Sequence, residues 1–172
     1  MNDYSITVGN LADGAHSFEF KIDDTFFKNF TDSEIQYANI NSRITLTKRF
    51  NKRLLSIILK GEINRMLCDL CAEEIDIEIN EKTDVIIKTF EEKINEDSDE
   101  SVIYINSYDN QLSIKHLLFE LITLSLPKKK SHKLNINGSK KCNKQMLDLI
   151  KEYSTIKSKN VNPIWEKLKN IK

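Results

Sequence analysis

The chain has 172 residues, with 26 basic and 26 acidic side chains and a formal net charge of zero, long enough for one domain with a substantial core. Its residues are 40% hydrophobic and 30% charged, which fits a globular protein and excludes a disordered or fibrous one. Only 4 glycines argue against a phosphate-cradling loop or a dinucleotide fold, and no run approaches the about 18 apolar residues of a membrane span.

The zero net charge averages two opposites. Residues 69–120 hold 15 acidic and 4 basic side chains, a net of −11, whereas residues 126–172 hold 13 lysines and 3 acidic residues, a net of +10. Such asymmetry points to a polyanion-facing side or to two halves that attract each other. The start, "MNDYSITVGN", lacks the basic and apolar regions of a secretory signal, so a cytoplasmic protein with no membrane contact is expected.

Along the chain, "HSFEFKID" alternates Phe18, Phe20 and Ile22 with polar residues and predicts a strand. "DDTFFKNF" predicts a short helical turn opened by an aspartate. "NSRITLTKRFNKRLLSIILKGEINRML" predicts a hairpin turning at Asn51–Lys52, with Gly61 marking a bulge or a close backbone approach. "EEIDIEINEK" alternates cleanly, "TDVIIKTF" continues or pairs with it, and "VIYIN" adds a further strand. Between them lies an acidic loop over 91–101.

Ile114, Leu117, Leu118, Leu121 and Ile122 then mark one face of an amphipathic helix, with Ser113 as N-cap and Pro127 as its stop. Met146, Leu149, Ile150 and Tyr153 repeat that spacing in a second helix. A lysine-rich basic loop over 128–142 separates the two, and Pro163 opens a short terminal helix. The expected fold is α+β: a single domain over 1–172, with an antiparallel meander of about five to six strands, two main helices and a short C-terminal one.

Cys68 and Cys71 form a C-x-x-C pair at a strand-to-strand corner. Zinc takes four thiolate or imidazole ligands. His132 and Cys142, both beyond Pro127, are the candidates for the other two. The spacing alone leaves a metal site and plain buried thiols both open. Redox chemistry is disfavoured, because Asp69, Glu73 and Glu74 oppose a thiolate and a strand follows the pair. No oxyanion hole accompanies a cysteine–histidine pair, so no enzyme is expected.

The basic side chains fall in two clusters. One, around the hairpin, includes Arg49, Lys52 and Arg53; the other comprises Lys128, Lys129, Lys130, Lys133, Lys140 and Lys141. Lysine-rich surfaces of this kind contact nucleic-acid phosphates with little sequence preference, and solvated surface is the competing reading. The two clusters can merge into one patch if zinc or packing brings the loop to the β corner.

Taken together, the C-D-x-C pair, the leucine helix running into "LSLPKKKSH", the "KKCNKQMLDLI" segment and the terminal "NPIWEKLKNIK" resemble the YceD family. The resemblance covers about residues 15–172. It implies a role in accumulation of large-subunit ribosomal RNA, with that RNA or its precursors as partner and ribosomal proteins as further candidates. Many members carry a second cysteine cluster after the leucine helix, which with the first pair suggests zinc. This chain keeps only His132 and Cys142 there. The family's terminal D-P-R-W reads Asn162, Pro163, Ile164, Trp165 here, without its two charges. The alternative is a protein-interaction module whose acidic half engages a basic partner such as a ribosomal protein.

Overall fold

The computed structural model describes residues 4–31, 33–89, 101–133 and 142–154. It is α+β, as its sequence predicts. Seven strands and three helices are present among the described residues: β1 (Ser5–Thr7), β2 (Gly14–Asp23), α1 (Asp24–Phe27), β3 (Tyr37–Arg49), β4 (Lys52–Leu67), β5 (Glu74–Thr89), β6 (Val102–Ile105), β7 (Gln111–Ser113), α2 (Lys115–Ser125) and α3 (Lys144–Ser154). The main sheet has the order β2-β3-β4-β5-β6, and β1 and β7 form a separate pair.

Alternation builds the meander. Along β3, Ala38, Ile40, Ser42, Ile44 and Leu46 are buried while their neighbours face outward, the two-residue period of a half-covered strand. The register sets Ile44 opposite Ile57 and Leu46 opposite Leu55. The "TDVIIKTF" segment continues β5, which pairs with β4 to Arg53↔Ile87. The meander ends there, because β6 runs parallel to β5, from Ile86↔Val102 to Thr89↔Ile105. About a dozen residues separate the two strands, the length a parallel return requires.

Three local features depart from the sequence reading. The β3–β4 hairpin turns at Phe50 and Asn51, one residue earlier than predicted, since Arg49 pairs with Lys52. Phe50, not Asn51, takes the left-handed backbone, with φ 50. Gly61 marks a close approach and not a bulge: a Cβ there would run into the carbonyl of Asn39 and lie 2.6 Å from Ile40 Cα. The bulge comes next, where Asn64 and Arg65 together face Asp76 between the pairs Ile63↔Ile77 and Met66↔Ile75. Arg65 is left-handed there (φ 56) and its N–H donates to the Asp76 carboxylate at 3.2 Å. The extra residue changes which positions face inward. Leu59 and Ile63 are buried before the bulge, Met66 and Cys68 after it.

Helix α1 is capped by Asp23, whose side chain accepts from the Thr25 N–H at 3.0 Å. Helix α2 buries Leu118 and Ile122, with Ile114 fully covered at its N-cap. Ser113 ends β7 instead of capping the helix, and Ile114 provides no side-chain cap. Leu126 is extended (ψ 136), as the residue before Pro127 must be. Phe30 stacks on Phe119 with centroids 4.0 Å apart, beside Phe26 and Phe27. Helix α3 has the predicted spacing but no buried residue, and Met146, Leu149, Ile150 and Tyr153 are exposed. The expected terminal helix and Trp165 lie outside the described residues.

By its internal contacts the chain forms two compact units. One comprises Met1–Leu67 and Glu74–Lys130 and contains the hydrophobic core. The other comprises Cys68–Glu73 and Ser131–Lys172. No helix among the described residues is long and apolar enough to cross a membrane.

Candidate metal centre and basic surfaces

Strand β4 delivers the chain into a tight knuckle. The Cys68 N–H donates to the Glu73 carbonyl and the Ala72 N–H to the Cys68 carbonyl, each at 2.9 Å. Ala72 is left-handed (φ 57), which lets the backbone reverse within these few residues. Cys68 and Cys71 are buried at the resulting corner, at 3% and 4% exposure.

The other two candidate ligands meet them within the second unit. Cys68 Sγ lies 3.9 Å from Cys142 Sγ, and His132 Nδ1 lies 3.5 Å from Cys71 Sγ and 3.6 Å from Cys142 Sγ. All four ligand atoms are within 4.8 Å of one another. A tetrahedral zinc with ordinary bond lengths spaces sulfurs about 3.8 Å apart and sulfur from nitrogen about 3.5 Å. Three contacts match those edges, and the widest is looser by about one ångström. Three thiols and one imidazole form a donor set suited to zinc, so the cluster can hold such an ion. The Asn143 side-chain amide donates to the Glu73 carboxylate at 3.0 Å, a second tie between the same two segments.

The thiols differ sharply in acidity. Burial pushes Cys68 up, but the backbone N–H groups of Leu70, Cys71 and His132 and the His132 ring together outweigh it, and the thiol falls from 9.0 to about 6. Burial pushes Cys142 up, and hydrogen bonds and charge from Cys68 and Cys71 add to this, bringing it to about 11. The acidic neighbours that argue for an ordinary thiol at Cys68 are overruled by the amides of the knuckle.

Two basic surfaces are separate within the first unit. Arg49 and Lys52 are exposed at the hairpin and Arg53 is half-buried. Lys128 and Lys129 are exposed, while Lys130 donates to Glu34 at 2.7 Å. Glu34 precedes β3 and Arg49 ends it, so a strand of 13 residues, about 40 Å, separates them. Lys133 is exposed beside His132, in the second unit. Lys140 and Lys141 lie outside the described residues, as does almost all of the acidic loop on which the protein-interaction alternative depends. Sequence reasoning passed over Phe50, the ring between Arg49 and Lys52 at the hairpin tip, which is 87% exposed.

The family model described as "Large ribosomal RNA subunit accumulation protein YceD" matches residues 55–172. No curated protein and no solved structure matches the chain. A match that takes in well over half of the sequence and all four ligand positions makes this chain a member of the YceD family.

Proposed function

We propose that the chain is a non-enzymatic factor in large-subunit ribosome biogenesis, acting in the cytoplasm on ribosomal RNA or its precursors. The observation that carries this is the family match over residues 55–172, whose description names accumulation of that RNA. The charge pattern supports it. Arg49, Lys52, Arg53, Lys128 and Lys129 present two cationic surfaces and Lys133 a third, each suited to phosphate contacts without base readout. Lys130 has its ammonium at Glu34 and contributes mainly field. Zinc held by Cys68, Cys71, His132 and Cys142 is a structural staple that ties the knuckle to His132 and Cys142 of the lysine-rich segment.

Titration of the zinc-loaded protein with fragments of large-subunit ribosomal RNA across a salt series tests this. Affinity is expected to fall linearly in log–log form, with a slope of about −0.7 for each single-strand phosphate contacted. No binding at low salt, or affinity indifferent to salt, would remove the phosphate-contact mechanism.

A further inference from the structure

We infer that the tip of the β3–β4 hairpin seats an unpaired RNA base, with Phe50 as its stacking platform, an inference that rests on the RNA-binding reading above. Phe50 is the most exposed large apolar side chain among the described residues, at 87%. It contributes nothing to the core and occupies a left-handed backbone, φ 50, that bulky residues rarely adopt. Asn51 beside it would accept that conformation at lower cost. The strained tip is nevertheless held in place. The Phe50 N–H donates to the Asp13 carboxylate at 3.0 Å, and Lys48 Nζ donates to the Leu11 carbonyl at 2.6 Å. The ring is thus presented on an anchored backbone, and little backbone freedom remains to be lost on binding.

Charge identifies the occupant. Arg49 and Lys52, both exposed, flank the ring on its two strands, with the half-buried Lys48 and Arg53 one residue further along, and Asp13, the acid that touches the turn, is occupied by the Phe50 amide. A bare aromatic face among cations matches a single-stranded nucleic acid, whose base stacks on the ring while adjoining phosphates meet the cations. A duplex hides its base faces and offers the ring nothing to stack on. A lipid surface calls for a broader apolar face than one ring between Arg49 and Asn51.

The test uses the zinc-loaded full chain and a short single-stranded oligoadenylate containing a fluorescent adenine analogue that is quenched on stacking. Phe50→Ala is expected to weaken binding about tenfold and to abolish the quench, leaving the salt slope unchanged because no charge is removed. Phe50→Trp is expected to retain affinity and quench. Arg49→Gln is expected to weaken binding and make the slope shallower by about 0.7. The Ala variant should melt at the wild-type temperature, since the ring packs on nothing. Wild-type affinity and quench in Phe50→Ala overturn the stacking inference. If Arg49→Gln still weakens binding in a salt-dependent way, the broader RNA reading survives that loss. No binding by the wild type at low salt overturns both. Phe50-dependent capture by phosphatidylserine vesicles, with RNA binding untouched, assigns the tip to membranes and overturns the inference.

Discussion

Cys68 has Asp69, Glu73 and Glu74 close by in sequence, and side-chain charge alone would keep its thiol protonated. Hydrogen bonds from the knuckle reverse this against the opposing effect of burial, and the thiol falls to about 6. Cys68 is lowered on folding, so its contribution to stability is complete above pH 9.0 and is lost as the pH falls through about 6. Cys142 is raised, so its contribution is complete below 9.0 and is lost as the pH rises through about 11. Near neutrality Cys68 is a thiolate and Cys142 keeps its proton, which zinc must displace. Zinc affinity, measured by competition with a chromophoric chelator, is therefore expected to fall on acidification through pH 6, by about tenfold per pH unit for each thiol that must ionise. A flat profile would exclude these thiols as ligands. The ligand set was legible because the residue types are scarce: the chain has 3 cysteines and 3 histidines, and one histidine lies after Pro127. Phe50 was not, because in a run of alternating residues an aromatic reads as a core position until the turn is located.

At the scale of elements, β3 leaves no room for a side chain at Gly61 of β4, which pairs with Ile40. Because the Cβ of any other residue would meet backbone there, no rotamer change relieves the clash and the strands must separate. Gly61→Ala is expected to cost about 2–4 kcal/mol, the upper range for overpacking with an added backbone penalty. Chemical denaturation would measure it, and a loss below about 1 kcal/mol would mean the hairpin yields easily. Long strands were legible, because β3, β4 and β5 each repeat their period many times. The three-residue strands β1 and β7 are too short to show one. The bulge carries no signal of its own, since Asn64 and Arg65 are ordinary strand-edge residues. Helices α2 and α3 have the same apolar spacing yet opposite burial. Periodicity reveals an apolar face and not what covers it.

At the scale of the whole molecule, the described residues of the two units differ in what they bury. The first has the core cluster, including Ile22, Ile40, Leu55, Ile63 and Leu118. The second has no buried residue in its described helix, and its buried cysteines are the metal candidates. Removing zinc with a chelator is expected to raise hydrogen exchange strongly over 68–73 and 142–154 while β3 and β4 stay protected. Loss of protection across β3 and β4 as well would mean that the metal supports the sheet too. The pairing of β1 with β7 has a further consequence, in time. Ile6 lies opposite Leu112, near the far end of the first unit, and is 1% exposed in the finished fold. During synthesis the first strand has no partner until more than a hundred later residues have followed it. The ladder between Ser5–Thr7 and Gln111–Ser113 can therefore close only late, after every strand of the main sheet has been synthesised on the ribosome.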